Sequence, residues 1–335
     1  METVFVVEKQ CNNLSNLLEK VNLPKDIEEP KETELKPDVS KNFYFTIVAI
    51  CHQTFPINGL PLEGIINCLY LRGWDYLSER FSNAVKNDNS LIYPEKLSEI
   101  KSTDIIDILE DDNGNSNVSD SEGRARLLRD IGQKMLKSNY LSVEDIYKES
   151  KGYLIGIHGS GLLHKLSYFD AYSDPVMKKS LFFLSLMKNH LYWKYKDDPK
   201  LGPPVDYHEM RGHLRFGTIR INDENLYNKI LKNELISEAE DIQIRQAVYD
   251  AIILISNKTN NSPSVLHYFF WNLFRNCCKR AEAHCNNCPA NCNLPPRYKR
   301  LKDILNIKGC LLSKYCISRN KKNKIIEPYV LTEYY

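Results

Sequence analysis

The sequence predicts a mostly α-helical protein, and three observations lead to this expectation. Apolar residues recur at helical spacing in successive segments from residue 42 onward, and short turns separate these segments. Helix-start signals precede several of them. Neither an alternating strand–turn–strand series nor an internal repeat is present. With 335 residues, of which 42% are hydrophobic, the chain has enough apolar material for one large domain or two smaller ones.

The first three apolar segments are expected to be helices. Residues 11–21 place three leucines on one helical face: Leu14, Leu17 and Leu18. Residues 43–51 (FYFTIVAIC) form a buried element whose β-branched residues would suit a strand, but the helical segments around it favour a helix. Residues 62–73 are amphipathic and end at Gly73, a residue typical of helix C-termini.

The middle of the chain continues the helical pattern. Residues 94–100 and 102–111 follow one another, and the second segment opens with a Ser-Thr pair that can cap a helix. Residues 124–138 carry an apolar face made of Leu127, Leu128, Ile131 and Met135. Ser142 and Asp145 have the spacing of a capping box, which predicts a further helix start.

Three long helical patterns complete the series, at residues 177–193, 238–257 and 265–277. Composition divides the chain into three segments. Residues 1–40 are expected to be a peripheral segment that ends in a charged linker at 25–36. The main domain is expected to cover 41–295, and 296–335 would be a basic C-terminal extension.

The composition excludes several classes of protein. The chain has 45 lysines and arginines and 43 aspartates and glutamates, which gives a net charge of +2. This small net charge does not indicate any particular class of partner, so any basic surface must be local. No apolar run approaches the roughly 18 residues of a membrane-spanning helix. The first residues lack the basic and apolar regions of a secretory signal. We therefore expect an intracellular protein without a membrane partner, in which ten cysteines are not a disulfide set.

Four cysteines near the C-terminus are closely spaced: Cys278, Cys285, Cys288 and Cys292. Turn-forming residues separate the last three, so a tight turn can carry their thiolates to one side. The pattern predicts a metal site, with a [4Fe-4S] cluster favoured over a zinc ion. Reduced surface cysteines without a metal are the ordinary alternative. The spacing leaves open whether Cys277 or Cys278 is the first ligand.

Five motifs follow one another in the order found in a known family. They are FTIVAICHQT (45–54), GRARLLRDIGQKML (123–136), GIHGSG (156–161), VDYHEMRGHLRFG (205–217) and the cysteine motif (278–292). In this series the chain resembles the helix-hairpin-helix DNA glycosylase superfamily, nearest to its endonuclease-III-like, iron–sulfur branch. The resemblance implies a two-lobed helix-hairpin-helix glycosylase fold with a C-terminal iron–sulfur cluster loop.

Asp206 is the candidate catalytic residue. It follows the rigid segment Pro203-Pro204-Val205, and its carboxylate would be stabilised by the free amides and the dipole of the helix that it begins. A plain N-cap aspartate is the ordinary interpretation. The resemblance implies instead that Asp206 stabilises the cationic sugar formed as an N-glycosidic bond breaks and orients the attacking water. His208 and Arg211 resemble positions that support this segment structurally.

Four residues are candidates for contacts with a nucleic acid through the resemblance. Gly156, Gly159 and Gly161 stand where the family has its hairpin, and they would let the backbone approach a phosphate closely. A glycine-rich turn between two helices is an equally good alternative. Gln53 stands in the place of a family glutamine and would probe the gap left by an extruded base. A hydrogen bond at the end of a helix is the alternative for Gln53.

Basic residues concentrate at the C-terminus, and three of them are candidates for phosphate contacts: Arg297, Lys299 and Arg300. Basic side chains interleaved with tyrosines suit a nucleic-acid backbone, whereas a merely soluble tail is the alternative. The last residues, 327–335, are apolar and aromatic enough to dock onto the domain.

Bifunctional members of the family use a lysine that attacks the sugar and normally follows the hairpin glycines. In this chain the first lysine after them is Lys165, displaced by several residues, and Lys178 and Lys179 are further candidates. We therefore expect a monofunctional enzyme that uses water.

The sequence thus predicts a DNA N-glycosylase that excises a damaged or modified base by hydrolysis, with DNA as its partner. One alternative is an N-glycosidase acting on a free modified nucleoside or nucleotide, because the hairpin departs from the family's DNA-binding pattern. The other is a non-catalytic nucleic-acid-binding protein on the same scaffold. A monomer is the default state.

Overall fold

The computed structural model describes residues 3–21, 23, 34–190, 192–289, 292–322 and 324–335. These residues form fourteen α-helices and four short strands, which confirms the expected mostly α-helical class. The helices are α1 (Glu8–Leu18), α2 (Pro37–Ala49), α3 (Trp74–Asn87), α4 (Pro94–Leu97), α5 (Ser102–Ile108), α6 (Ser121–Lys137), α7 (Val143–Glu149), α8 (Leu162–Leu166), α9 (Lys178–Asn189), α10 (Tyr207–Phe216), α11 (Glu224–Lys232), α12 (Glu238–Lys258), α13 (Pro263–Asn276) and α14 (Pro296–Ile304). The strands are β1 (Val4–Val6), β2 (Glu63–Ile66), β3 (Leu69–Arg72) and β4 (Ile219–Ile221).

The chain divides into two compact units. Unit 1 comprises the described residues of Met1–Glu28 together with Gly202–Leu331, and unit 2 comprises those of Glu29–Leu201 together with Thr332–Tyr335. This division differs from the three segments expected from composition, because tertiary packing joins residues from both ends of the chain. The charged linker expected at 25–36 lies mostly outside the described residues.

Helix α2 is the core of unit 2. Pro37 occupies its first turn, where a missing N–H costs nothing. Every residue from Phe43 to Ile50 is buried, and α2 packs against α3, α6, α7 and α9. A helix covered on all sides needs no polar stripe, which explains its apolar run of β-branched and aromatic residues. The helix expected at 43–51 is therefore confirmed, although it begins earlier and ends at Ala49.

The helix expected at 62–73 is wrong, because this segment is an antiparallel hairpin of β2 and β3 in which Glu63 pairs with Arg72. Asn67 and Cys68 form its turn, with φ values of 52° and 63°. Two consecutive left-handed residues are typical of a two-residue hairpin turn, and asparagine tolerates this conformation. Gly73 precedes α3 rather than ending a helix.

The other helices expected in unit 2 are present. Helix α6 buries the predicted apolar face, which consists of Leu127, Leu128, Ile131 and Met135. The capping box at the start of α7 is confirmed, since the backbone N–H of Ser142 donates to Asp145 Oδ2 at 3.0 Å. Helix α9 begins at Lys178 and buries most of its residues.

Unit 1 is built around α12, which packs against α1, α10, α13 and β1. Helix α1 is part of this core rather than peripheral, because Cys11, Leu14 and Leu18 are buried. Strand β1 pairs with β4 in an antiparallel arrangement that sets Val4 opposite Ile221. The apolar face expected at 11–21 is thus confirmed within a helix that begins at Glu8.

Helices α10 and α13 pack side by side and position the candidate site. The ring of His213 lies 4.9 Å from that of Phe270 and 5.5 Å from that of Phe274. Burial lowers the pKa of His213 to about 3, so this histidine is a neutral core residue at physiological pH. The contact brings the first turn of α10 beside the middle of α13.

Across the described ranges, no helix combines the length and apolar character that crossing a membrane requires.

Candidate functional site

Asp206 begins α10, and its carboxylate is held by three N–H donors. Oδ1 accepts hydrogen bonds from the backbone N–H groups of His208 at 2.8 Å and Glu209 at 3.3 Å. Oδ2 accepts a hydrogen bond from Trp271 Nε1 at 3.1 Å. The helix N-terminal position predicted for Asp206 is confirmed. These donors fix the carboxylate and stabilise its negative charge.

Three aromatic residues lie at or next to this carboxylate: Tyr207, His208 and Trp271. The Tyr207 and His208 rings are 4.2 Å apart, and the Trp271 ring is perpendicular to that of His208 at 6.2 Å. The guanidinium of Arg275 lies 4.7 Å over the Trp271 ring. We call these five half-buried residues, including Asp206, the carboxylate site. Their partial exposure leaves the carboxylate accessible, and the rings can stack on a planar base.

Arg211 ties α10 to the neighbouring segments of unit 1. Its guanidinium contacts His208 Nδ1 at 2.9 Å and donates to the backbone oxygen of Cys278 at 2.8 Å. It also forms a buried ion pair with Glu327 at 2.8 Å. The pKa of Glu327 is lowered although burial acts to raise it, because Arg211 and Arg280 stabilise the carboxylate. These contacts fit the supporting role expected of His208 and Arg211.

Three thiols near the end of α13 form a candidate metal centre. The sulfurs of Cys277, Cys288 and Cys292 all lie within 4.8 Å of one another, and we call them the first thiol group. The group contains two of the four predicted ligands, while Cys277 replaces Cys278 and Cys285 lies outside it. Consecutive residues at a helix end direct their side chains differently, and here the sulfur of Cys277 lies with those of Cys288 and Cys292.

Lys302 supplies positive charge to the first thiol group. Its ammonium contacts the sulfur of Cys288, and this hydrogen bond raises the pKa of Lys302 against the opposing effect of partial burial. Burial raises the pKa of Cys277 to about 12. The pKa of Cys292 is lowered although burial acts to raise it, because the N–H of Leu294 and the charge of Lys302 stabilise the thiolate.

The donor chemistry and spacing of the first thiol group fit a metal. A tetrahedral zinc ion with Zn–S bonds of about 2.3 Å holds its sulfurs roughly 3.8 Å apart. The separations within 4.8 Å agree with that requirement. No disulfide joins any of the ten cysteines, all of which lie in described ranges, so these thiols are available as ligands.

The three candidate glycines form a tight turn before α8. Gly156 and Gly159 have φ values of 68° and 76°, in the left-handed region that favours glycine. A Cβ on Gly161 would lie 2.2 Å from the carbonyl carbon of Ile155, so no side chain fits there. Ile157 at the tip is 77% exposed. The phosphate-binding role of this turn stays a prediction.

A carboxylate lies at the base of the same turn. Asp197 accepts hydrogen bonds from the backbone N–H of Leu154 at 2.6 Å and of Ile155 at 3.0 Å. These two amides are therefore occupied by a protein group. The negative charge of Asp197 also opposes the approach of a phosphate to this side of the turn.

Gln53 lies in unit 2 with a φ of 48° and contacts the last residue of the chain. Its backbone N–H donates to the Tyr335 oxygen at 3.0 Å, and its side-chain Nε2 lies 3.5 Å from the same atom. Val330 and Tyr335 are buried, which confirms that the end of the chain docks onto the protein. The base-probing role of Gln53 stays a prediction.

Lys165 and Lys178 both contact other side chains. Lys165 Nζ pairs with Glu149 at 2.6 Å. Lys178 Nζ lies 3.4 Å from the sulfur of Cys51 and 5.0 Å from the centre of the Phe182 ring. Both ammonium groups are thus held by neighbours within unit 2.

Lys179 belongs to a buried basic cluster at the C-terminal end of α2. Its ammonium donates to the backbone oxygen of Ala49 at 2.5 Å, and Arg124 donates to that of His52 at 2.7 Å. These bonds satisfy carbonyls that a helix end leaves without partners. Burial lowers the pKa of Lys179 to about 7, and burial also lowers the pKa of His52.

Helix α14 carries the three candidate phosphate-binding residues. Lys299 and Arg300 are exposed and Arg297 is half-buried, while Tyr298 and Leu301 face the core. The helix is therefore amphipathic with a basic outer surface. Its contact with a nucleic acid stays a prediction.

No model of a known protein family matches this chain, and no curated protein matches it. The glycosylase resemblance therefore depends on the order of the motifs.

Sequence reasoning missed Trp271 and Arg275 at the carboxylate site. Both lie on α13, which the sequence marks only as an apolar, aromatic-rich helix. Their spacing of four residues places them on the same helical face. A tryptophan and an arginine sharing one face of an otherwise apolar helix is the signal that could have found them.

Proposed function

We propose that the protein is a monofunctional DNA N-glycosylase that removes a modified base by hydrolysis at the carboxylate site. The observation that carries the proposal is the fixed, half-buried carboxylate of Asp206 among three aromatic rings. The order of motifs around Asp206 supports the same assignment.

The chemistry needs a negative charge beside the sugar and a positioned water. As the N-glycosidic bond breaks, its electrons leave with the base and the sugar becomes cationic, so the Asp206 carboxylate stabilises the transition state. A carboxylate oxygen accepts two hydrogen bonds, and Oδ2 accepts one from Trp271, which leaves capacity to orient a water. The water oxygen bonds to the anomeric carbon, and its proton passes to the departing base through solvent.

The aromatic rings provide a surface for the target base. An enzyme that acts on a base in DNA must extrude it from the stack, and aromatic side chains then provide the stacking that the duplex provided before. The rings of Tyr207 and Trp271 both lie beside that of His208, next to the carboxylate. Arg275 adds a positive charge that suits a nearby phosphate.

The environments of the lysines support hydrolysis by water rather than attack by an amine. Lys179 is buried and holds a helix-end carbonyl, and Lys165 is paired with a carboxylate. An amine that forms a Schiff base must reach the sugar, and the burial of Lys179 and the ion pair of Lys165 both oppose this. Borohydride trapping of a sugar–protein adduct would overturn the monofunctional assignment.

The first thiol group is proposed to hold a structural metal. The resemblance implies a [4Fe-4S] cluster, whereas the close spacing of Cys277, Cys288 and Cys292 favours a single zinc ion. Either metal would hold the segment after α13 in place. Arg211 joins α10 to the backbone of Cys278, so a fixed segment after α13 would also help to fix α10 and Asp206 at its start.

DNA is the proposed substrate because α14 presents Lys299 and Arg300 to solvent. A second candidate substrate is a free modified nucleoside, which Asp197 favours by placing a carboxylate where the hairpin would grip a phosphate. A nucleoside carries no phosphate, so the charge of Asp197 would not oppose its binding.

The test is a substrate screen with two arms. Oligonucleotides that each carry one modified base are scored for abasic sites, and the matching free nucleosides are scored for released base. Abasic sites in a duplex would support the DNA enzyme, and base release from nucleosides alone would select the second candidate. Absence of release in both arms would contradict N-glycosidic hydrolysis.

A further inference from the structure

Seven cysteines lie between residues 277 and 316, and the first thiol group contains three of them. The other four we call the second thiol group: Cys278, Cys285, Cys310 and Cys316. All four are half-buried. They form two pairs with the spacings C-x6-C and C-x5-C, and 24 residues separate the pairs in the sequence.

Backbone contacts join the segments of Cys285 and Cys310. The N–H of Cys310 donates to the carbonyl oxygen of Cys285 at 3.2 Å. A Cβ on Gly309 would lie 2.3 Å from that same oxygen, so the approach requires glycine. The two segments therefore pack directly on each other.

Arg215 on α10 contacts the other two thiols. Its Nη1 lies 3.4 Å from the sulfur of Cys278, and its backbone oxygen accepts a hydrogen bond from the sulfur of Cys316 at 3.4 Å. The same guanidinium donates to the backbone oxygen of Lys279 at 2.7 Å. Arg215 therefore links Cys278 to Cys316, and its guanidinium places a positive charge beside the sulfur of Cys278.

The segments of Cys278 and Cys285 also lie beside each other. Cys278 and Ala283 pair in an isolated antiparallel β-bridge, so the chain turns back on itself between Cys278 and Cys285. Because the segment of Cys285 also packs on that of Cys310, the two pairs of cysteines adjoin.

We propose that the second thiol group is a second metal centre, with Cys278, Cys285, Cys310 and Cys316 as its four thiolate ligands. The proposal goes beyond glycosidic hydrolysis and does not depend on it. Binding would release the thiol protons, and the charge of the metal would then hold the four thiolates together. Arg215 would offset part of the excess negative charge of four thiolates.

Two metals share this chemistry. A zinc ion takes four thiolates in a tetrahedron, and an iron–sulfur cluster takes one thiolate at each iron. Among the described residues only the first thiol group brings three ligand atoms within 4.8 Å of one another, so no three sulfurs of the second group are that close together. The wider spacing suits a cluster, because each of its thiolates binds a different iron.

The test measures zinc, iron and sulfide in four full-length proteins purified anaerobically: wild type, Cys68→Ser, Cys288→Ser/Cys292→Ser and Cys310→Ser/Cys316→Ser. Cys68 is exposed in the β2–β3 turn, so its variant controls for the removal of a thiol. We expect two metal centres in the wild type and in Cys68→Ser. Cys288→Ser/Cys292→Ser should lose only the first centre, and Cys310→Ser/Cys316→Ser should lose only the second. Either zinc or iron with sulfide at the second centre supports the proposal. Unchanged metal content in Cys310→Ser/Cys316→Ser overturns it.

Alkylation of the wild type tests the proposal even if the double variant does not fold. Cys310 and Cys316 should resist iodoacetamide until a chelator removes the metal under anaerobic conditions. Cys68 should react at once, and Cys51, which is buried in unit 2, should resist before and after chelation. Modification of Cys310 and Cys316 before chelation would overturn the second metal centre.

Discussion

Under the proposed function, Trp271 would position the charge of Asp206 without touching the reacting atoms. Its indole N–H donates to Asp206 Oδ2, and its ring forms one wall of the carboxylate site. Removing the donor while keeping an aromatic ring separates these two contributions.

We expect Trp271→Phe to lower kcat by roughly tenfold to a hundredfold, because a hydrogen bond to a charged group contributes about 1.5–3 kcal/mol. KM should change less, since the ring that stacks on the base remains. Trp74→Phe is the matched control, because Trp74 Nε1 is buried without a hydrogen-bond partner among the described residues. Equal activity in Trp271→Phe and Trp74→Phe would remove Trp271 from the positioning of Asp206.

Lys179 links the stability of unit 2 to pH. Burial lowers its pKa to about 7 in the folded protein, against an ordinary value of 10.5. Between these values the unfolded state binds a proton that the folded state does not, so the contribution of Lys179 to the free energy of unfolding rises with pH. The slope is at most about 1.4 kcal/mol per pH unit.

The measurement is the urea midpoint of the wild type and Lys179→Met from pH 7 to 9. The difference in stability, wild type minus variant, should increase as the pH rises. Lys137→Met is the control, because Lys137 is exposed on α6 and should show no such trend. A constant difference between wild type and Lys179→Met would mean that Lys179 stays protonated in the folded state.

At the scale of elements, local signals predicted α6, α7, α10 and α12. The capping residue and the apolar residues of each of these helices lie within its own short segment of sequence. The hairpin of β2 and β3 was not predicted. The apolar residues of 62–73 fit helical spacing over twelve residues, whereas the only local signal for a turn was the pair Asn67-Cys68. Its pairing depends on contacts from elsewhere in the sequence, such as the Asp112 carboxylate that accepts from Asn67 N–H at 2.6 Å.

The candidate site, too, could be predicted only where it depends on local sequence. The carboxylate of Asp206 follows from the local sequence, since an aspartate after two prolines begins a helix. Trp271 lies 65 positions later, and its contact with Asp206 depends on how α13 packs against α10. The choice of Cys277 rather than Cys278 likewise depends on the path of the chain after α13.

Helix α14 is the element that tests the DNA substrate. We expect Lys299→Ala/Arg300→Ala to weaken binding to all duplexes about equally and to flatten the salt dependence, by about 0.9 in log–log slope for each phosphate that the variant no longer neutralises. Arg220→Ala/Lys232→Ala removes the same charge from exposed positions on β4 and α11 and is the control. If affinity changed neither with salt concentration nor in the α14 variant, the result would favour a free nucleoside as the substrate.

At the scale of the molecule, unit 1 contains the carboxylate site and all seven cysteines of the 277–316 region. Metal removal should therefore loosen unit 1 and leave unit 2 unchanged. Hydrogen exchange after anaerobic chelation should increase in α10, α13 and the segments around the cysteines, because short cysteine-rich segments have little core of their own. Exchange in α2 and α6 is the internal control. An equal increase in both units, or none, would contradict a structural metal confined to unit 1.

The proposed role of Asp206 is to stabilise the transition state of N-glycosidic hydrolysis. Its most direct test is the rate of base release by Asp206→Asn, compared with Asp223→Asn. Asp223 is also an N-cap aspartate of unit 1, since it accepts from the N–H of Leu226 at 2.8 Å at the start of α11. Asparagine preserves the cap in both variants, so both should fold.

We expect Asp206→Asn to reduce turnover on the order of a hundredfold or more, because the charge that opposes the developing cation is gone. Asp223→Asn should stay within about twofold of the wild type. Near-wild-type base release by Asp206→Asn would contradict the proposed mechanism and reduce Asp206 to a helix cap.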